Sequence, residues 1–242
     1  MAQTSISGPV LVAASDVFGN SAVQEHDLGA LGVASDGRMF RYCKAGGTGL
    51  VPGKLQQGPA IVANHQNIAV AAAAAAGSTS VTVTLGATAA TENQYAEGLL
   101  VINDATGEGY TYRIKGHPAA DASAALVITL DDPILVALTT SSEACLIANV
   151  YNGVIIHPTT PTNAAAGVPL KAITASYFGW LQTHGAVAGL NADAALTVGS
   201  AISPSNATAG GFENGVIAQG FVGQALQTGV DTEYRTIFLT ID

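Results

Sequence analysis

The chain is poor in charge: Asp, Glu, Lys and Arg make up only 10% of its 242 residues, against about 25% in typical soluble domains. No charged residue lies in segments 55–91, 144–170 or 194–212. The formal net charge is −9, with eight Lys and Arg residues and no run of them. Binding to phosphates needs clustered cations, so the composition argues against nucleic-acid and anionic-membrane partners. A surface with so little charge is easier to explain if other chains cover much of it, which indicates a component of an assembly.

Cysteine and long apolar runs are also scarce. Cys43 and Cys145 are the only two cysteines, and their spacing gives neither a disulfide framework nor a metal pattern, so we expect two buried free thiols. The longest apolar stretch, around 68–76, is far below the roughly 18 residues of a membrane span. The N-terminus lacks the basic region of a signal peptide. We therefore expect a soluble protein made in a cytoplasm, with no membrane partner.

Motifs that carry chemistry are missing as well. Segment 46–49 is glycine-rich but lacks the Lys-Ser/Thr of a phosphate loop, and no Gly-x-Ser-x-Gly elbow occurs. None of the five histidines pairs with another at zinc-site spacing. His117 and His157 each precede a proline, which is typical of loop or rim histidines. The sequence thus predicts no catalytic, cofactor-binding or metal-binding residues, and we do not expect an enzyme.

The sequence is rich instead in β-branched residues and turn signals. Ser80–Leu85 alternates Val with Thr, which is typical of a strand, and the same signal recurs between 98 and 150. In the last 90 residues short apolar stretches are separated by turn residues every 8 to 12 positions, a spacing that favours a small barrel or sandwich. We predict a mainly β fold: an antiparallel barrel or sandwich domain formed by the N- and C-terminal parts, with an inserted antiparallel β module.

The predicted organisation has three parts. Residues 1–35 form an N-terminal arm, residues 36–76 and 151–242 form a split glycine-rich β domain, and residues 77–150 form the inserted module. The alanine-rich run Val70–Ala76 is compatible with a helix or with an extended linker. Ala164–Ser176 has weak helical amphipathicity.

Aromatic residues mark the one candidate site. The segment 177–185 contains the only tryptophan of a chain in which aromatics are 6%. Its rings form either the centre of the C-terminal core or the anchor of a subunit interface, where Trp and Tyr are enriched. The candidate interface residues are Tyr177, Phe178, Trp180, Phe212 and Phe221.

A pattern of glycines and aliphatic residues is shared with a known family. Its parts are Lys44–Gly46 with Leu50–Leu55, Ala175–Val187, Val198–Ile202, Val222–Leu226 and, after Gly229, Ile237–Ile241. Over roughly residues 36–60 and 165–242 the chain resembles the capsid decoration, or cement, proteins of tailed bacteriophages. The segment from about 70 to 150 departs from the pattern and has the character of an insertion.

The resemblance implies a non-enzymatic virion protein on the capsid exterior, made in the host cytoplasm. It would be a homo-oligomer, a trimer, and would clamp neighbouring subunits of the major capsid protein, without direct contact to nucleic acid. A head fibre, tail or baseplate component is the alternative within virions, and a carbohydrate-binding β protein is the alternative outside them. Because ten of the 25 charges lie between Glu92 and Glu143, we expect the inserted module to face solvent and the other parts to face neighbours.

Overall fold

The computed structural model describes residues 8–242 and is mainly β, with 40% of residues in strands and 4% in helices, which confirms the predicted fold class. The described residues contain one short helix, Ala14–Val17 (α1), and two 3-10 turns, Ala63–His65 and Ile217–Gln219. They also form seventeen strands: β1 Val10–Leu11, β2 Leu31–Val33, β3 Met39–Ala45, β4 Gln56–Gln57, β5 Ile68–Ala69, β6 Ser80–Thr84, β7 Leu99–Asp104, β8 Thr111–Gly116, β9 Ala125–Leu130, β10 Glu143–Ile147, β11 Asn152–Ile156, β12 Ala165–Pro169, β13 Phe178–Leu190, β14 Ala201–Pro204, β15 Phe212–Asn214, β16 Gly223–Ala225 and β17 Tyr234–Thr240.

The chain divides into two units. The first joins the chain up to Pro59 to Val150–Asp242, and the second is Ala60–Asn149. The second unit therefore begins at Ala60 and not at residue 77 as predicted. The reason is that Ile68 and Val70 belong to the core of the second unit, so the alanine-rich run cannot be a linker that precedes it.

The second unit is a small closed barrel. Its strand order is β5-β10-β7-β8-β9-β6, and a bridge between Val70 and Val83 returns from β6 to the chain just after β5. Alternate residues point inward, as in β9, where Leu126, Ile128 and Leu130 are buried. The period-2 pattern predicted from the sequence is thus the pattern that fills this barrel.

The first unit contains a five-stranded barrel. Strands β3, β11, β4 and β12 are neighbours in its sheet, and β13 pairs with both β12 and β3, which closes the ring. One cluster of small and aliphatic side chains includes Cys43, Ala45, Val154, Ala166 and Leu181. Small residues suit so few strands because a narrow barrel has little room across its interior.

Strand β13 is long enough to serve two sheets. Its first half pairs with β3, and its second half, from His184 to Leu190, pairs with β17. Strands β16, β14 and β15 follow β17 in order, and a bridge between Asn191 and Phe212 brings β15 back to the end of β13. A second cluster that includes Val187, Phe212 and Ile237 forms the core of this part.

The described part of the predicted arm packs against the barrel of the first unit. Val12, Val17 and Leu28 are buried in a third cluster with Tyr42 and Trp180. The segment 8–35 is therefore part of the first unit and not a separate arm, because its apolar side chains cover one side of β3 and β13. The first seven residues of the predicted arm lie outside the described residues.

The structure decides one open alternative and corrects one local prediction. The run Val70–Ala76 is not helical but extended, with single bridges at Val70 and Ala74, which pairs with Leu138. In Ala164–Ser176 the structure has strand β12 in place of a helix. Both segments find partners far along the chain, and these outweigh the helical preference of short alanine-rich stretches.

Both cysteines are free, Cys43 buried and Cys145 partly exposed. Burial raises the pKa of the Cys43 thiol, so it stays protonated and unreactive.

Candidate functional site

The five candidate aromatic residues are not brought together on one surface. Phe178 and Trp180 are buried side by side in β13, and Phe212 lies in a different core cluster. Only Tyr177, which is 36% exposed, and Phe221, which is 56% exposed, remain on the surface. Three of the five side chains thus pack inside the first unit, where they cannot anchor a partner.

An uncharged sheet surface lies elsewhere in the first unit. In an antiparallel pair, residues directly opposite each other point to the same face. Across β13 and β17 Ala186 faces Phe238 and Ala188 faces Thr236, while Gln224 of β16 faces Phe238 and Ala201. We call this surface the outer face, and its residues are Ala186, Ala188, Ala201, Gln224, Thr236 and Phe238. None of the six is charged, although the solvent-facing residues of a sheet are normally polar or charged.

An apolar groove of about 360 Å³ borders one end of the outer face. Its walls include Val51, Pro52, Leu170, Ala188 and Tyr234. Val51 is 44% and Tyr234 46% exposed. The outer face and the groove therefore form one continuous surface, because both contain Ala188.

The opposite end of the outer face carries charge. The Arg38 guanidinium binds the Asp36 carboxylate at 2.7 Å. A depression there is lined by both residues together with His184 and Phe238, and the His184 and Phe238 rings meet edge to face at 5.2 Å. The ion pair marks where the uncharged surface ends.

One strand on the exterior of the second unit differs in composition. On β8 the outward residues Thr111, Arg113 and Lys115 are exposed. Arg113 lies 3.5 Å from a Glu97 carboxylate oxygen and 3.3 Å from one of Asp131. Strand β8 thus presents charged side chains to solvent, which the outer face of the first unit does not.

A polar depression of about 190 Å³, which we call the aromatic pocket, lies between the N-terminal segment and the barrel of the first unit. Four rings are packed together there: His26 lies 5.1 Å from Tyr42 and 5.3 Å from Trp180, and Tyr42 lies 6.0 Å from Phe178. Burial raises the pKa of the Tyr42 hydroxyl, which therefore stays protonated. Sequence reasoning singled out Phe178 and Trp180 but not the pocket, because its other residues lie far from them in the chain, from position 15 onward.

The histidines before proline are buried and not on a rim, which corrects the sequence-based interpretation. His117 is 5% and His157 3% exposed. In each, Nδ1–H donates to the carbonyl of the following proline at 2.8 Å. Burial lowers the pKa of both rings. The two His-Pro pairs thus share one local arrangement, in which a neutral ring closes a hydrogen bond along its own backbone.

In the second unit His117 belongs to a hydrogen-bonded chain with Tyr95 and His65. The Tyr95 backbone N–H donates to His117 Nε2 at 3.0 Å. The His65 ring lies between the Tyr95 hydroxyl and the Thr88 carbonyl, 2.8 Å from the latter. Since a carbonyl only accepts, His65 Nε2 carries the proton and Nδ1 accepts from Tyr95. Burial raises the pKa of Tyr95 to about 12.

Metal and membrane signals are not found in residues 8–242. Within that range no group of three or more His, Cys, Asp or Glu side chains is placed to hold a metal ion. Nor does any helix there have the length and apolar character to cross a membrane.

Comparison with known proteins adds no relative: no family model, curated protein or solved structure matches this chain.

Proposed function

We propose that the protein is a non-enzymatic virion structural protein, a decoration or cement protein of a tailed-phage capsid. It binds neighbouring major capsid subunits on the capsid exterior and associates with itself as a trimer. The resemblance of residues 36–60 and 165–242 to such proteins suggests the partner. The outer face is the single structural observation that supports a role in assembly.

The outer face suits contact between copies for an electrostatic reason. Each copy carries a formal charge of −9, so two copies repel each other wherever acidic surfaces meet. An uncharged face of Ala, Thr, Gln and Phe is where a neighbour can approach without that repulsion and without desolvating a charge. The adjoining groove, with exposed Val51 and Tyr234, provides the apolar area that interface cores contain.

The proposal is tested first by the mass of the protein in solution. Light scattering should give about three times the mass of the 24.2-kDa chain. Ala188→Arg places a charge where the outer face meets the groove and should convert the trimer to monomers, because an unpaired charge buried in an interface costs several kcal/mol. Ala125→Arg, on an exposed strand position of the second unit, is the matched control and should leave the mass unchanged.

Two results would contradict this role of the outer face. One is a native chain that is monomeric at all concentrations, and the other is a trimer that Ala188→Arg does not affect.

Binding to the capsid is tested separately. The native protein should sediment with heads assembled from the major capsid protein of the same phage, and electron microscopy should place its density on the outside of the head. Density on the tail or baseplate would favour the alternative virion role and would reject the decoration function.

A further inference from the structure

A cyclic trimer needs two different surfaces on every copy, and the groove beside the outer face provides one of them. A surface can bind its own copy only across a two-fold axis, so around a three-fold axis each copy meets its two neighbours through different surfaces. The second surface, whose existence rests on the proposed trimer, must fit the groove. It should also be uncharged, because each copy has a formal charge of −9.

The groove is a preformed apolar cavity. Its lining has no charged residue and includes two prolines, Pro52 and Pro169. The Tyr234 ring lies directly on the backbone of Gly53, where a Cβ would be 2.6 Å from Tyr234 Cε1. A preformed groove loses little entropy when it is filled. Its volume of about 360 Å³ is at the small end of the roughly 300–1,000 Å³ of ligand pockets, so it admits one or two side chains.

A protruding apolar turn lies at the other side of the outer face. It comprises residues 215–221, and we call it the apolar turn. Ile217 is 87% and Phe221 56% exposed. No charged residue lies between Glu213 and Asp231 in the chain, and Glu213 itself is 8% exposed. Large apolar side chains that are exposed on one turn, with no exposed charge next to them in the chain, are typical of a contact surface.

The apolar turn is held in place on the sheet. The Ser203 hydroxyl of β14 donates to the Val216 carbonyl at 3.2 Å and accepts the Val216 N–H at 2.8 Å. Gly215 donates its N–H to the carbonyl of Ala201, a residue of the outer face, at 2.8 Å. Because Gly215 lies opposite Ala201, both point outward. A Cβ built on Gly215 would be 2.5 Å from Phe221 Cε1, so the Phe221 ring covers Gly215 and continues the outer face.

The groove and the apolar turn face different directions. The groove adjoins β13 through Ala188, and the turn follows β15, four strands further in the order β13-β17-β16-β14-β15. This corresponds to roughly 19 Å along the sheet, at about 4.8 Å per strand. The sheet is curved, since the bridge between Asn191 and Phe212 brings β15 back to the end of β13. One copy can therefore offer its groove to one neighbour and its turn to the other.

We propose that the apolar turn of one copy occupies the groove of the next copy, with Ile217 and Phe221 against Val51 and Tyr234. The turn protrudes and the groove is concave, both are apolar, and neither brings an exposed charge into the contact. Three such contacts close a ring in which every groove and every turn is filled. Phe221, one of the two sequence candidates that stay on the surface, is then covered by a neighbour.

A pair of opposite charges tests which residues meet. Ile217→Glu and Val51→Arg each place an unpaired charge in the contact, so each should convert the trimer to monomers, a threefold loss of mass by light scattering. The double variant brings the two charges together at every contact and should restore the trimer. Leu11 is another exposed aliphatic residue of the first unit, and Leu11→Glu should leave the mass unchanged.

A second change of the turn keeps the test independent of one variant. Phe221→Glu should also give monomers. Circular dichroism and the emission of the buried Trp180 verify that each variant is folded, so that a loss of mass can be assigned to the contact.

The outcomes separate this contact from the proposed function. A native chain that is monomeric would reject the trimer and this contact with it. A trimer that withstands both Ile217→Glu and Phe221→Glu, or a double variant that stays monomeric, would overturn the contact while the trimer stands. A trimer that withstands Ile217→Glu but no longer sediments with phage heads would overturn it as well, and would show that the turn binds the major capsid protein.

Discussion

At the level of single residues, His117 is neutral because its hydrogen bonds require it. His117 Nε2 accepts the Tyr95 N–H while Nδ1–H donates to Pro118, so a second proton on the ring would face a donor. Burial is the main cause that lowers the pKa of His117; the hydrogen bond to the Pro118 carbonyl opposes this, and the nearby His65 lowers the pKa further. The sequence showed where the His-Pro pairs are, but not that they are buried, because burial depends on strands from distant segments.

This arrangement predicts that acid weakens the protein. The folded pKa of His117 is below its ordinary value of 6.5, so the unfolded chain binds the proton more readily. The contribution of His117 to the free energy of unfolding is therefore complete above about pH 6.5 and is lost as the pH falls towards the folded pKa. It amounts to about 1.4 kcal/mol for each unit by which the pKa values of the folded and unfolded chain differ. Urea unfolding at pH 7.5, 6 and 5 should show a decreasing free energy of unfolding.

His117→Gln is the control for this pH dependence. It keeps a side chain that can hydrogen-bond but does not titrate, so its stability should fall less steeply between pH 7.5 and 5. Equal slopes in the native chain and the variant would assign the acid sensitivity to carboxylates or to His157 and not to His117.

At the level of elements, strands were predictable wherever burial alternates within one segment. Ser80–Leu85 and Ala125–Leu130 correspond to β6 and β9, because their Val, Ile and Leu residues fill the barrel of the second unit. Ile134–Leu138 has the same composition but forms only a bridge from Leu138 to Ala74. The sequence could not show this difference, because a strand exists only where a neighbour offers its backbone.

The candidate site was predictable only in part, for a related reason. The aromatic segment 177–185 lies in β13 and was recognised by composition, whereas the outer face depends on register. Ala188 and Thr236 become neighbours only because β13 and β17 pair as they do. Alanine and threonine do not by themselves indicate an interface. The surface can be identified only once the pairing of these two residues, 48 positions apart in the chain, is known.

Close strand packing makes one glycine essential. A Cβ on Gly223 of β16 would lie 2.0 Å from the Phe238 carbonyl oxygen, which belongs to the paired strand β17. Gly223→Ala must therefore push the two strands apart, and we expect a loss of about 1–3 kcal/mol in the free energy of unfolding, as for other overpacked sites. Urea unfolding followed by Trp180 fluorescence measures it.

Gly47→Ala is the matched change, since a Cβ at Gly47 has no atom within 4 Å. It should be neutral or slightly stabilising, because alanine restricts the unfolded chain. If the two variants were equally stable, β16 and β17 would not be packed as closely as described.

At the level of the whole molecule, each unit completes its own sheet and its own core. The second unit closes its barrel through the Val70–Val83 bridge, and its core cluster contains only residues of Ala60–Asn149. The two positions that flank the second unit in the chain are adjacent in the first unit. A Cβ built on Gly58 would lie only 3.0 Å from the Val150 carbonyl oxygen. Adjacent ends are typical of inserted domains that fold independently.

We therefore expect both units to fold when they are separated. A chain in which a short Gly-Ser linker replaces residues 60–149 should keep the native emission of Trp180 and unfold cooperatively in urea, and the isolated segment 60–149 should give a dispersed NMR spectrum. A control lacking only residues 60–142 retains β10 without its partners β5 and β7 and should be aggregation-prone, because a strand without neighbours exposes its backbone. Since the outer face lies wholly in the first unit, the chain shortened by 60–149 should still form a trimer, with a mass about three times that of the shortened chain. A shortened chain that folds as a monomer would show that self-association depends on the second unit, and one that does not fold would show that the units are not independent.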